Sequence, residues 1–220
     1  MTRKYLYQVL SVICILRYGS CYGHESWMSV MFINDFIGDD FSQVLAETDT
    51  FSQDWIKNDL KSDLNLNTPC EQTEVSFGSI DVKEGGTKLT PTQVKFAPTV
   101  KWTAEKDQFY TLLMMDLDAP SRKNPTFREW FHWGVINIPE NNVNEGEVIT
   151  TYMGSTPPKG TGLHRYVILV FQQSDKIKFM DEKIGPNGGF RGGQSAKKIA
   201  EKYGLGSPVA GTWFEAEWEG

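Results

Sequence analysis

Hydrophobic positions change their spacing along this chain, and the changes mark its elements. Residues 6–16 are mainly apolar, broken only by Gln8 and Ser11, with Arg3 and Lys4 before them and Arg17 after. From His24 to about Pro69 the apolar residues are diluted by acidic and amide side chains. Within that stretch, Asp54 to Leu66 spaces Trp55, Ile56, Leu60 and Leu64 so that a helix would turn all four towards a core. From Val75 onward the texture becomes that of strands. Val75 to Val82 alternates, and Leu89 to Val94 is strand-like around a Thr-Pro-Thr break. Phe109 to Leu117, Trp130 to Ile138 and Leu163 to Gln173 are longer, rich in aromatic and branched residues, and bounded by Pro, Gly and Asn. These three predict the central strands of a buried sheet. Turn-rich connections without a regular helix between strands predict an antiparallel β architecture. One helix is expected late in the chain, over Ala196 to Tyr203, with Ser195 as N-cap and Gly204 in the left-handed position that ends it. A strand over Val209 to Trp218 follows, with Pro208 tolerated at its start.

The basic start, the short apolar run and the small residues Gly19, Ser20 and Gly23 read as a secretory signal peptide over residues 1–23. A membrane span needs about 20 apolar residues, so no transmembrane segment is expected. The expected organisation is a signal peptide over 1–23, a partly helical N-terminal extension over 24–74 and one domain over 75–220. Secretion follows, with a cytoplasmic location as the alternative if the leader is not cleaved. Composition narrows the function. The 13% aromatic content of the 220 residues excludes a disordered chain. The net charge of -6 becomes -9 without residues 1–23, which hold three basic and no acidic residues, and so excludes the basic face that nucleic-acid binding requires. Cys14, Cys21 and Cys70 form no Cys-x-x-Cys pair and no disulfide scaffold.

Candidate chemistry gathers at three strand ends. In Met114-Met115-Asp116-Leu117-Asp118-Ala119-Pro120, two carboxylates two residues apart would project from one strand face. Asp116 suits a pocket, while Asp118 suits a cap on the turn at Ala119-Pro120-Ser121. In Arg128-Glu129-Trp130-Phe131-His132-Trp133, period two puts Trp130 and His132 on one face and Phe131 and Trp133 on the other. A lone histidine there is more often a hydrogen-bonded core residue than a ligand contact. Arg128 and Glu129 read as a solvated or turn-bracing pair. The third segment, Gly154-Ser155-Thr156-Pro157-Pro158-Lys159-Gly160-Thr161-Gly162-Leu163-His164-Arg165-Tyr166, is a loop fixed by proline and glycine that leads into a strand where His164 and Tyr166 share a face. Imidazole, phenol and backbone N–H groups there can all donate to an anion such as phosphate.

Together, Asp-x-Asp-Ala-Pro-Ser-Arg, Arg-Glu-Trp-x-His and Pro-Pro-Lys-Gly-Thr-Gly-Leu-His-Arg-Tyr closely resemble the phosphatidylethanolamine-binding proteins, also called the Raf kinase inhibitor family. Leu89 to Val94, Ser207-Pro208-Val209-Ala210-Gly211 and Ala216-Glu217-Trp218 extend the likeness, which covers roughly Val75 to Trp218 and is strongest to the insect antennal, secreted branch. The resemblance implies a large central antiparallel sheet, a smaller second sheet, a few flanking helices and a small pocket for anionic head groups. It implies a ligand site made by Asp116, Pro120, Phe127, Trp130, His132, Gly154, Thr156, Pro158, His164 and Tyr166, with Asp118 and Arg165 as structural support. In it His132, His164 and Tyr166 would donate to phosphoryl oxygens, and Asp116 would orient a histidine or take the amine of an ethanolamine. Phe127 stands where the family often has tyrosine, Thr156 where it commonly has glycine, and the usual C-terminal helix is not apparent before Gly220.

The function this implies is non-enzymatic binding of a phosphate or phospholipid head group by a monomer, without cofactor, metal or catalytic residues. The alternative is a protein-interaction module that inhibits a kinase or serine protease. With three histidines, no His-Glu-x-x-His helix and no Gly-x-Ser-x-Gly elbow, hydrolysis is disfavoured.

Overall fold

The computed structural model describes residues 50–186 and 188–220, so the leader expected over 1–23 and most of the extension lie outside the described residues. Among the described residues, ten strands follow one another: β1 (Glu71–Gln72), β2 (Glu74–Phe77), β3 (Ile80–Asp81), β4 (Thr87–Lys88), β5 (Thr99–Lys101), β6 (Phe109–Asp116), β7 (Trp130–Pro139), β8 (Glu147–Thr150), β9 (His164–Gln173) and β10 (Ala210–Ala216). The long apolar runs become β6, β7 and β9, which are almost wholly buried. They occupy the middle of a seven-stranded sheet of order β1-β10-β9-β6-β7-β8, in which β4 shares with β1 the outer edge of β10. Neighbours are antiparallel from β10 to β8, whereas the short β1 and β4 run parallel to β10, so the sheet is mixed at one edge. A second sheet, β3-β2-β5, has three strands. Val75, Phe77 and Val100 from it join Leu112, Met114, Trp133, Tyr166, Ile168 and Phe214 in the main core, which therefore lies between the two sheets.

The other face of the large sheet is covered by helical segments. Residues 50–57 are helical, α1, and Leu60–Leu64 form α2. The single predicted helix is thus broken at Asn58-Asp59, where Asp59 takes a left-handed φ of 60°. Trp55, Leu60 and Leu64 are buried, but the break turns Ile56 outward, where it is 50% exposed. Helix α3, Ala196–Tyr203, is capped as its sequence requires: the Ser195 side chain accepts from the Lys198 N–H, and Gly204 closes the helix at φ 64°. Two strand expectations change. Val75 to Val82 is a hairpin, β2 and β3, because Gly78 takes a φ of 63° that supports the turn. Leu89 to Val94 is a turn and not a strand; Thr90 and Gln93 bond each other's backbone through their side chains, and the Val94 N–H donates to the Thr90 carbonyl.

Candidate functional site

One row of residues crosses four strands at the end of the core face. Trp130 of β7 is opposite Asp116 of β6, Asp116 is opposite Tyr166 of β9, and Tyr166 is opposite Phe214 of β10. Directly opposed side chains stand about 5 Å apart at Cβ. The Tyr166 ring stacks on Phe214 with centroids 5.1 Å apart, and His164 stacks with Tyr166 at 6.4 Å. His132 meets Tyr166 edge to face at 5.1 Å. It does so because β7 bulges there. Met114 pairs with Trp133 and Met115 with Phe131, which leaves His132 as the extra residue. Trp133 consequently joins the core face with Met114, and only Phe131 turns to the other side. Strict alternation placed Phe131 and Trp133 together; the bulge separates them.

The polar contacts in this row are specific. Asp116 is buried, its Oδ1 accepts from the Asp118 N–H at 2.7 Å, and its Oδ2 accepts from His164 Nδ1 at 2.9 Å. His164 Nε2 lies 2.9 Å from Thr161 Oγ1, so both ring nitrogens are engaged. His132 Nδ1 donates to the Met153 carbonyl at 2.8 Å, which leaves Nε2 without a bond to protein. Burial pushes the His132 imidazole below its ordinary value, against the opposing charge of Asp116, so the ring is neutral near pH 7. Tyr166 and Ser155 are buried, and among the described residues neither hydroxyl makes a hydrogen bond of good geometry, although the Ser155 side chain is near enough to act on the phenol as a hydrogen-bonding neighbour. Burial, then the Asp116 charge, push the Tyr166 phenol far up, so it stays a donor.

Asp118 is on the opposite side of the sheet from Asp116. The strand ends at Asp116, and Asp118 turns back to Arg165, whose neighbours His164 and Tyr166 face the other way. Asp118 therefore does not cap the Ala119-Pro120 turn. Its oxygens accept from Arg165 N at 3.0 Å, Nε at 2.8 Å and Nη2 at 2.6 Å. Arg165 Nη2 also bonds Asp63 of α2 at 2.6 Å, and its Nη1 donates to the Asn58 carbonyl at 2.6 Å. Arg128 closes the ring, donating to Asp63 at 2.5 Å and to Asp118 at 3.3 Å. Arg128 and Glu129 are thus not a solvated pair. Glu129 is buried and accepts from the Ala196 N–H at the start of α3.

The loop residues divide by exposure. Pro120 is half-buried, Thr156 and Pro158 are exposed, and the Pro158 carbonyl accepts from Thr161 Oγ1. A Cβ at Gly154 would lie 2.7 Å from the Val94 carbonyl oxygen, so glycine there is required by the close approach of residues 94–95. Phe127, Trp130 and Phe190 form an edge-to-face cluster at the rim, with centroids 5.7 to 6.2 Å apart. Arg191 is buried and donates to the Phe131, Thr151 and Gly185 carbonyls and to Thr151 Oγ1; no ion pair engages it among the described residues. Sequence reasoning missed Phe190 and Arg191. The available signal was a single charge inside the glycine-rich stretch Ile184 to Gln194. A separate surface cleft of about 770 Å³ lies near Ile56, Asn65, Lys197 and Ser207, and no residue of the row lines it. Among the described residues, no group of three His, Cys, Asp or Glu side chains could hold a metal ion, and no helix is long and apolar enough to cross a membrane.

A fold of this kind is shared with a known class of proteins. The family model described as "Phosphatidylethanolamine-binding protein" matches residues 78–214, and the chain belongs to that family. It is 44% identical over 153 residues to the Drosophila melanogaster protein named "Putative odorant-binding protein A5", covering 69% of this chain and 72% of that one. Among solved structures, it resembles a carboxypeptidase Y inhibitor complexed with its cognate proteinase, at 25% identity and a TM-score of 0.68, over 81% of this chain and all of that one. The phosphatidylethanolamine-binding protein from Plasmodium vivax shares the fold, with a TM-score of 0.64 at 21% identity over 76% of this chain and 97% of that one.

Proposed function

We propose that the protein is a non-enzymatic binder of phosphorylated molecules or phospholipid head groups of the phosphatidylethanolamine type, gripping the phosphate with Tyr166, Ser155 and His132. The observation that carries this reading is the pair of buried hydroxyls without partners beside an imidazole with a bare nitrogen. An unsatisfied buried polar group costs about 1–3 kcal/mol, a cost that phosphate oxygens would relieve. Asp116 acts through His164, which it orients, and Trp130 and Pro120 wall the row. The relative named for odorant binding supports a secreted carrier.

Because His132 donates through Nδ1, its neutral ring offers Nε2 only as an acceptor. A phosphate oxygen can meet that nitrogen only with a proton between them, supplied by the ligand or taken up by the ring. The complex therefore holds one proton more than a phosphate dianion and a neutral site. The second phosphate pKa is about 6, so affinity is expected to fall about tenfold per pH unit above it and to level off below. Isothermal titration with O-phosphorylethanolamine at several pH values, in buffers of different ionisation enthalpy, reads both the affinity and the proton uptake. A flat profile would contradict the shared proton, and a titration indistinguishable from buffer at millimolar ligand would sink the binding reading. Tyr166→Phe removes one charge-assisted bond and is expected to weaken binding at least about tenfold.

A second reading, proteinase inhibition, draws support from the likeness to the carboxypeptidase Y inhibitor. Titrating carboxypeptidase Y with this protein tests it, and undiminished peptidase activity at micromolar protein would reject it for that enzyme.

A further inference from the structure

Resting on the phosphate-site reading, we infer that Phe127, Trp130 and Phe190 form an apolar receptor beside the pocket, which selects phosphate esters whose organic group is aryl or similarly hydrophobic over ethanolamine esters. Large aromatic side chains normally bury their surface, yet Phe127 is 41% and Phe190 62% exposed. They are clustered, not scattered, since both pack on Trp130 with centroids 6.2 and 5.7 Å away. Trp130 is directly opposite Asp116, which is in turn opposite Tyr166, so the cluster begins one side chain from the proposed phosphate site.

The rings are held in place before any ligand arrives. The Gly193 N–H donates to the Phe127 carbonyl, Glu129 and Gln194 exchange backbone bonds, and the Phe131 N–H donates to the Arg191 carbonyl. The buried Arg191 guanidinium fastens the same loop to β7 and to Thr151, the residue after β8. Phe190 therefore stands on a fixed support, which lowers the entropy lost when a ligand covers it.

The surroundings disfavour an ammonium group. Both Asp116 oxygens already accept hydrogen bonds, Asp118 is committed to Arg165 on the far face, and Glu129 is buried against α3. The exposed charged side chains of the rim segment Ser121 to Phe127 are Arg122 and Lys123, both cationic. The rings themselves are packed edge to face on one another, with interplanar angles of 63°, 83° and 77°. What they offer is a continuous apolar surface without a hydroxyl.

The test is a comparison of inorganic phosphate, O-phosphorylethanolamine and phenyl phosphate by isothermal titration against the full chain and against Phe127→Ala, Phe190→Ala and the double variant. Stacking of one further ring corresponds to about a tenfold gain, so phenyl phosphate is expected to bind about tenfold more tightly than O-phosphorylethanolamine. That advantage should shrink to within about twofold in the double variant, while inorganic phosphate binding to Phe190→Ala, which changes no residue of the expected ligand site, stays at the parent level and shows that this variant is folded. If inorganic phosphate binds but phenyl phosphate has no advantage, or keeps it without the two rings, the inference fails and the phosphate site stands. If no phosphate compound binds the parent chain, the site reading fails and this inference with it.

Discussion

Asp118→Ala is expected to destabilise the protein by about 3 kcal/mol, because it removes the main counter-charge of a buried arginine. Arg165 is 1% exposed and gives Asp118 three donors, two from its guanidinium and one from its backbone. Burial alone would raise the Asp118 carboxyl, but hydrogen bonds and charge from Arg165 overcome that and hold it below the ordinary 3.8. Asp63 and the Asn58 carbonyl remain for Arg165 in the variant, which keeps the loss towards the lower end for a broken buried pair. Urea denaturation should show the midpoint falling with the slope preserved, and Arg165→Met in the same chain should recover much of the loss by removing the stranded charge. A loss below about 1 kcal/mol would show that Asp63 alone compensates the guanidinium. The pH dependence has a definite sign. A carboxylate whose folded value is depressed stabilises above its unfolded value and ceases to do so as pH falls through the folded one, so this contribution disappears in acid below about pH 4.

The ring of Arg128, Arg165, Asp63 and Asp118 also shows which parts of the protein could be read from the chain alone. The three long strands were legible because their composition is apolar at nearly every position, as strands covered on both faces must be. Helix α3 was legible because Ser195 and Gly204 state its ends chemically. Single backbone events were not legible. Asp59 in a left-handed conformation splits one expected helix into two, and Gly78 folds one expected strand into a hairpin. The same applies to the site. The motif residues that meet in the row are those that regular alternation on β6, β7 and β9 brings to one face, but the end of β6 sends Asp118 to the other face and the bulge at His132 sends Trp133 to the core. Thr156 and Pro158 belong to the same loop as Ser155, yet they are exposed while Ser155 is buried, a choice made by loop geometry that no period encodes. Asp63 and Asn58 enter through the segment before Val75, which precedes the residues 78–214 matched by the family model, and only the fold brings them beneath Arg165.

Glu129 sets a second dependence on pH, of opposite sign to that of Asp118. Its carboxyl is pushed up from 4.5 to about 7, mainly by burial, with the Ala196 N–H and the Arg128 charge pulling the other way. Between those two values the folded protein binds a proton that the unfolded chain releases. The contribution is complete below about pH 4.5, falls as pH rises, and is gone above about pH 7. A rise of this size corresponds to ~3 kcal/mol. Glu129→Gln keeps a side-chain oxygen that can accept from the Ala196 N–H and abolishes the ionisation. The variant is therefore expected to match the parent at pH 4 and to exceed it by up to ~3 kcal/mol at pH 8, with the difference opening between about pH 4.5 and pH 7. Thermal melts of both proteins across that range would show it as a widening gap in Tm. Parallel stability curves would mean that the carboxylate stays ionised throughout, held by the amide at the start of α3 and by the helix dipole. The outcome reaches the aromatic cluster directly: Glu129 lies between Arg128 and Trp130 and exchanges backbone bonds with Gln194, four residues from Phe190. Charging Glu129 without solvent loosens the junction of β7, the glycine-rich loop and α3 on which the aromatic cluster is mounted. The glutamine variant should accordingly bind phenyl phosphate at pH 8 at least as well as the parent, and weaker binding would show that the charge itself holds the rim in place.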